Sequence, residues 1–407
     1  MSRRSGAALA VVLLCSVARA AAGSSYVERL ALAERNLRVA EAAQAADPGV
    51  ADTALAVVEA ALDLAWLSGD YAWFARAETA LDAAQAAAGQ SPSTCLVAAR
   101  LHLTLHRVAA AREAVLDCGP WSDERTREQL LADIRLMQGE PHGAAAGYRR
   151  LLHRQVEIST LVRLAGVHEV LGHPEEAKAL LAEAERRDHS GDPAQRAWLK
   201  LRRAHIALHQ GRWDEARAVY LAAEQALPGW WLVEEHLAEV EALLGQIAGA
   251  RKRYMDILER NALPELMDAL AALEVTLGAP ESARSLRERA RERYEWRLAR
   301  FPEAAAGHAL EHFLADPQPT RALELAEANY AGRPTGESAT LLARARWRSG
   351  RRAQACAVIE SARARGYQSA EVLWLAAECA PSDVAGNARG QALDINPRAA
   401  QMYGFER

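Results

Sequence analysis

The chain has 407 residues, of which half are apolar and a quarter are charged. This balance is typical of a folded protein and excludes a disordered or collagen-like chain. The 49 basic residues against 53 acidic ones leave a net charge of -4, so the composition does not indicate a nucleic-acid partner.

The first twenty residues have the order of a secretory signal peptide. Arg3 and Arg4 precede an apolar run that ends at Ala18, and small residues surround a cleavage site near Ala20. Twin-arginine and lipoprotein signals are the alternatives, but the residues that follow the arginines and precede Cys15 favour the general secretory route. The run is too short to span a bilayer, and no later segment has transmembrane length and polarity. We therefore predict that residues 1–20 are removed and that the protein is periplasmic in a Gram-negative bacterium.

A helix and then a long repeat follow the predicted leader. Residues 24–48 predict an N-terminal capping helix, because Val27, Leu30 and Leu37 follow helical spacing. From there on, a pattern recurs roughly every 34 residues. The pattern is marked by glycines, at Gly139, Gly172, Gly211, Gly245, Gly278 and Gly350. In the preceding period His106 stands in the glycine position.

The positions around each glycine predict a pair of helices. Alanine stands five residues after each glycine, and a bulky residue such as Tyr148 or Tyr220 usually stands nine after it, with Arg287 as the exception. Glycine tolerates the left-handed conformation that ends one helix before the next begins. Alanine lets two helices approach closely, while the bulky residue fills the gap to the neighbouring repeat.

The most complete period runs from Leu199 to Pro228. It carries small and aromatic residues at fixed positions, namely Ala204, Gly211, Trp213, Ala216, Tyr220 and Ala223. Residues 392–397 look like the end of another period. The pattern resembles the tetratricopeptide repeat (TPR), and the resemblance covers nearly all of the mature chain. It implies an all-α superhelix of about nine helix pairs, with an array over residues 51–300 that continues through 301–407.

The four cysteines that remain after the leader predict two disulfide bonds. An even number of cysteines in an exported chain favours disulfides over free buried thiols. Two pairs have the same separation, which suits the outer ends of two antiparallel helices: Cys95 with Cys118, and Cys356 with Cys379. No cysteine or histidine cluster with metal-ligand spacing accompanies them, so neither a metal nor another cofactor is predicted.

One motif looks like a zinc-protease helix but fails on spacing. His173 follows His168 by five residues instead of four, and Gly172 ends the helix between them. In the repeat pattern this segment is the turn between two helices. The sequence also lacks a phosphate-binding glycine loop and a nucleophile motif, so we predict that the protein is not an enzyme.

The resemblance also suggests a binding groove, because the first helix of each repeat lines the concave side in this family. Five residues are then candidates for partner contacts, namely Trp198, His205, Glu235, Glu239 and Trp347. An acidic groove with an aromatic platform suits an extended peptide that carries Arg or Lys. The alternative interpretation is a solvated helix face.

Two hypotheses for function follow from this pattern. The first is a non-enzymatic periplasmic scaffold or adaptor that holds a protein or peptide in its concave groove. The second is a structural assembly subunit of a cell-envelope export or polysaccharide machine. In that case the convex surface and the ends of the array matter more than the groove.

Overall fold

A computed structural model describes residues 25–118, 123–315 and 319–403. The predicted leader, residues 1–20, lies outside the described residues. The described part of the chain forms α-helices and no strand. The helices are α1 (Tyr26–Ala46), α2 (Ala51–Ser68), α3 (Ala72–Ala88), α4 (Pro92–Thr104), α5 (Val108–Leu116), α6 (Glu124–Met137), α7 (Pro141–Arg154), α8 (Ile158–Val170), α9 (Pro174–Arg187), α10 (Pro193–His209), α11 (Trp213–Ala226), α12 (Trp231–Leu243), α13 (Ile247–Leu258), α14 (Pro264–Thr276), α15 (Pro280–Arg300), α16 (Pro302–Ala315), α17 (Pro319–Gly332), α18 (Gly336–Arg348), α19 (Arg352–Ala364), α20 (Ala370–Cys379), α21 (Ser382–Ile395) and α22 (Ala399–Tyr403).

Helices α2 to α21 form successive pairs, and each pair packs on the next. The predicted all-α superhelix of helix pairs is confirmed. The described residues contain ten pairs, against the expected number of about nine. Helix α1 packs on α2 at the N-terminal end, and α22 packs on α20 at the C-terminal end.

The turns that carry the glycine of the repeat have the backbone conformation that the glycine pattern predicts. Gly139, Gly172 and Gly211 have φ angles of 80°, 79° and 69°. His106 occupies the same position of its pair with φ 58°, as the one non-glycine residue with positive φ in the described ranges. The turn between α4 and α5 therefore keeps this conformation although the sequence does not provide glycine there.

The alanine and bulky positions of the repeat form the contact between the two helices of a pair. Ala177 and Ala216 are fully buried, and so are Leu181 and Tyr220 four residues later. Helix α15 differs, because Arg287 at the bulky position is exposed and Leu286 beside it is buried instead. The small residues thus bring the helix axes together, and the large ones fill the space between repeats.

Successive turns of the superhelix touch each other. The amide of Gln368 donates a hydrogen bond of 2.9 Å to the carbonyl of Val170. The indole Nε1 of Trp231 donates to the carbonyl of Leu67 at 2.7 Å. Phe301, between α15 and α16, is fully buried, and its ring centroid lies 5.9 Å from that of Phe74 in the first pair. These contacts join segments that are far apart in the chain into a tightly wound coil.

The two helices of a pair differ in how much of their surface is buried. In α10, the first helix of its pair, twelve of seventeen residues are buried. In α11, its partner, only four of fourteen are buried. First helices therefore form an inner layer that is packed on most sides, and second helices form the outer surface.

Candidate functional site

The inner layer carries all five residues that the sequence suggested for partner binding. Trp198 and His205 lie on α10, and Glu235 and Glu239 lie on α12, the first helix of the next pair. Trp198, His205 and Glu235 are only 5%, 3% and 9% exposed, and the Glu239 side chain is 12% exposed. Little of their surface is available to a partner in this conformation. Their role in partner binding remains a prediction.

Trp198 belongs to an aromatic cluster that joins two turns of the superhelix. Its ring centroid lies 6.2 Å from that of Trp66 on α2, in an edge-to-face arrangement. The Trp66 centroid is in turn 5.0 Å from that of Trp230, which precedes α12. Rings at these distances contribute packing energy beyond the area that they bury. Trp198 therefore has a structural role that its position in the sequence did not reveal.

Trp347 lies in a different part of the inner layer. It is on α18, is partly exposed, and packs against a separate apolar cluster from the one that contains Trp198. The guanidinium of Arg352, on the following helix, lies 4.6 Å from the centroid of the Trp347 ring. Of the five predicted residues, Trp347 and Trp198 are thus not part of one continuous surface patch.

Three first helices bring histidines and glutamates together inside the superhelix. His205 and His209 are one turn apart on α10, and their ring centroids lie 4.1 Å apart. Glu169, on α8, approaches His209 with 2.8 Å between Oε1 and Nδ1. On the other side, the ring of His236 on α12 has its centroid 5.4 Å from that of His205.

Burial and neighbouring charges control the protonation of this cluster. Burial is the main reason why the pKa of His205 lies well below its ordinary value, and the charges of His209, His236 and Arg202 lower it further. Burial alone raises the pKa of Glu169, but the hydrogen bond and charge of His209, together with the charge of Arg202, outweigh it and leave that pKa below its ordinary value. The cluster therefore holds a neutral imidazole beside a carboxylate.

Helix α20, from the next turn of the superhelix, contributes another carboxyl group. Burial raises the pKa of Glu371 to about 7, and the charges of Arg344 and His209 oppose that rise. On α11, burial together with the charges of Glu239 and Glu235 raises the pKa of Tyr220 well above its ordinary value. The interior thus concentrates ionisable groups at one level of the coil.

Two groups of side chains in this cluster could hold a metal ion. Within each group the potential ligand atoms all lie within 4.8 Å of one another. The groups are Glu169, His205 and His209, and Glu235, His236 and Glu239. Imidazole nitrogens with a carboxylate oxygen are the donors that zinc and similar ions prefer.

Sequence reasoning missed Glu169 because it considered the wrong pair of histidines. The rings of His168 and His173 lie 5.9 Å apart, and Nε2 of His168 faces Arg149 at 3.3 Å. The useful signal was the i, i+4 spacing of His205 and His209, which places both side chains on one face of α10. Glu169 joins them because α8 and α10 are first helices of neighbouring pairs.

The structure places the four cysteines in the two predicted pairs. The Cα atoms of Cys95 and Cys118 are 6.1 Å apart, and those of Cys356 and Cys379 are 5.3 Å apart. Both distances fall in the range of disulfide bonds. Each bridge closes a loop with a sequence separation of 23 residues, one near each end of the array.

The described helices include no segment both long and apolar enough to cross a membrane.

No family model matches the chain, and no curated protein is significantly similar to it. Among solved structures, the chain is similar to yeast Tom70, with a TM-score of 0.45 and 12% identity over 91% of this chain and 87% of Tom70. It is also similar to a tetratricopeptide repeat protein from Parabacteroides merdae, with a TM-score of 0.33 and 18% identity over 61% of this chain and 94% of that one. MamA gives a TM-score of 0.35 and 16% identity over 42% of this chain and 97% of its own.

The fold is a TPR-type solenoid. Its helix pairs, left-handed turns and alanine contacts are those that the repeat pattern predicts. The similarity to these structures concerns the fold alone.

Proposed function

We propose that the solenoid is a non-enzymatic scaffold that binds a protein partner. The observation that carries this proposal is the continuity of the array, since each described helix packs on the next from α1 to α21. The described ranges therefore leave no segment for a separate catalytic lobe. A chain built in this way offers its extended surface to other proteins.

We propose further that the protein acts in the periplasm. The order of charged, apolar and small residues before Ala20 supports export. The two cysteine pairs at bonding distance support an oxidising compartment. Fractionation of cells that express the full chain, followed by mass mapping under non-reducing conditions, tests both points. Cytoplasmic protein with four free thiols would contradict this location.

We propose that the partner binds on the outside of the coil and not in the predicted groove. Trp296, on the outer face of α15, is 52% exposed, whereas the acidic groove candidates are mostly buried. Large exposed aromatic side chains are common anchors at protein interfaces. This exposure favours the second hypothesis, a structural subunit of a cell-envelope export or polysaccharide machine that uses its convex face.

Two tryptophan variants separate the outer surface from the groove. Disulfide-intact wild type, Trp296→Ala and Trp347→Ala are used to capture partners from periplasmic extract. If the convex face binds, Trp296→Ala loses the partner and Trp347→Ala retains it. If a groove binds a basic peptide, the result is reversed. Equal recovery by all three proteins would contradict both surfaces.

Trp198→Ala is unsuitable for this comparison. Removal of a buried tryptophan costs about 3–5 kcal/mol of stability, so lost binding would report damage to the fold. Trp296→Ala and Trp347→Ala remove side chains that are at least partly exposed. Their urea unfolding curves, compared with that of wild type, check that the solenoid remains intact.

A further inference from the structure

Glu169, His205 and His209 form a compact group in which each side chain is held by a rigid helix. The two histidines share a face of α10, and Glu169 projects from the neighbouring first helix α8. One potential ligand atom from each lies within 4.8 Å of the other two. Ligands of one zinc ion in tetrahedral geometry lie about 3.3 Å apart, so small side-chain movements suffice to surround an ion.

His205 has a buried nitrogen that lacks a hydrogen-bond partner. Its Nε2 is shielded from solvent and unpaired, and the whole residue is almost completely buried. A buried polar atom without a partner is costly, and natural proteins rarely keep one without a function.

We propose that Glu169, His205 and His209 bind one divalent transition-metal ion, for which Zn²⁺ is the best match. Two imidazole nitrogens and one carboxylate oxygen suit zinc and disfavour Mg²⁺ and Ca²⁺, which prefer oxygen donors alone. The hydrogen bond between His209 Nδ1 and Glu169 Oε1 holds these two atoms 2.8 Å apart. When the ion binds, it replaces the proton between them.

Arg202 is a positively charged residue beside the proposed site, and its charge repels a metal ion. Its guanidinium lies 3.6 Å from Oε2 of Glu169, the oxygen that does not face His209. Glu169 therefore presents Oε1 to the histidines while Arg202 holds the other oxygen. Hydrogen-bonded or charged neighbours that orient a ligating carboxylate are common around metal sites. The arrangement predicts that Glu169 binds through one oxygen.

Helix α12 supplies further donors beside the site. Glu235, His236 and Glu239 form the second compact group, and the His236 ring lies next to that of His205. The donor atoms of this second group contact one another, with His236 Nδ1 3.2 Å from Oε2 of Glu239. An ion held by α8 and α10 would link first helices of neighbouring pairs and fix the spacing between them inside the coil.

The test uses the complete mature chain with intact disulfides, without a histidine tag, after removal of metals by a chelator. Zn²⁺ is titrated by calorimetry, and Co²⁺ is titrated by visible absorption, which reports nitrogen and oxygen ligands directly. We expect one equivalent of either ion to bind to wild type and to raise its Tm. His209→Gln and Glu169→Gln are expected to weaken binding by more than about tenfold.

The matched control is the double variant His168→Gln/His173→Gln, which removes two histidines from the look-alike motif nearby. It is expected to bind Zn²⁺ as wild type does. The Tm of every variant in the metal-free state shows whether it is folded, so loss of binding by a folded variant supports the site. Absence of binding to wild type at micromolar Zn²⁺, or equal binding by wild type and His209→Gln, would overturn the proposal.

Discussion

Gln368 and Val170 are joined by a backbone hydrogen bond of 2.9 Å, although they belong to different turns of the superhelix. Gly172 lies beside this bond, in the turn between α8 and α9. A Cβ atom added to Gly172 would meet the carbonyl oxygen of Gln368 at 2.7 Å. The contact between superhelical turns therefore depends on the absence of a side chain at this position.

The first prediction compares two glycines that differ only in this contact. Gly172 and Gly278 have φ angles of 79° and 76°, but a Cβ at Gly278 would meet nothing within 4 Å. Gly278→Ala is expected to cost about 1 kcal/mol because of its backbone conformation. Gly172→Ala is expected to cost a further 1–3 kcal/mol, roughly, because it also disrupts the packing of the turns. Urea unfolding of both variants measures the difference, and equal midpoints would argue against a tightly wound coil in solution.

A second prediction concerns the two disulfides. Peptide mapping without reduction is expected to find Cys95 linked to Cys118 and Cys356 linked to Cys379. Each loop restricts the unfolded chain and contributes about 3 kcal/mol in the chain-entropy model. The double variants Cys95→Ser/Cys118→Ser and Cys356→Ser/Cys379→Ser should therefore each lower the urea midpoint. A Cys95–Cys356 linkage would contradict the pairing.

A third prediction follows from His106, a half-buried residue whose two ring nitrogens are shielded from solvent. Burial lowers the pKa of this histidine well below the ordinary value of 6.5, and the charges of Arg333 and His308 lower it further. As the pH falls below 6.5, the unfolded chain binds a proton that the folded chain does not. The free energy of unfolding is therefore highest above this pH, where His106 is neutral in both states, and it falls on acidification.

The variant His106→Asn tests this dependence on pH. Asparagine tolerates positive φ and does not titrate, so the variant keeps the turn but removes the proton site. Its free energy of unfolding should fall less than that of wild type between neutral pH and about pH 5. His153→Asn, at an exposed histidine of α7, is the control. Parallel pH curves for wild type and His106→Asn would contradict the assignment.

A fourth prediction concerns a buried ion pair between α6 and α8. Nε of Arg163 donates to Oδ1 of Asp133 at 3.0 Å, and the hydroxyl of Tyr148 donates to the same oxygen at 2.5 Å. Burial nevertheless leaves the pKa of Asp133 above its ordinary value. Removal of the cation alone leaves this carboxyl group buried with the Tyr148 hydroxyl but no positive charge beside it, so Arg163→Met should cost about 3–5 kcal/mol.

The double variant Arg163→Met/Asp133→Leu isolates the ion pair. It removes both charges and is expected to be more stable than Arg163→Met alone, as measured by urea unfolding. Arg186→Met removes an arginine from an exposed pair with Glu183 and should change stability by less than about 0.5 kcal/mol. A double variant as unstable as the single one would show that the arginine stabilises by packing rather than by charge.

Local sequence pattern was sufficient to predict the helix pairs and their turns. The glycine position requires a left-handed backbone, which His106 adopts as well, and the alanine and bulky positions follow one face of a helix. The cysteine pairing followed from the same antiparallel geometry. These properties depend on residues within one repeat or on the next, so a period of about 34 residues already contains them.

The tertiary structure decided which side chains meet inside the coil. Trp198 was expected to face a groove, but it is buried and its ring lies edge-to-face with that of Trp66 on α2. Glu169 lies between His168 and His173, whose spacing does not suit a metal, and it meets His205 and His209 from another repeat. The small rotation from each pair to the next accumulates along the array, and this sum determines whether turns touch. No single repeat encodes this accumulated rotation. The sequence by itself therefore determined the helix pairs. The winding of the coil determined which side chains became buried, exposed or gathered into one site.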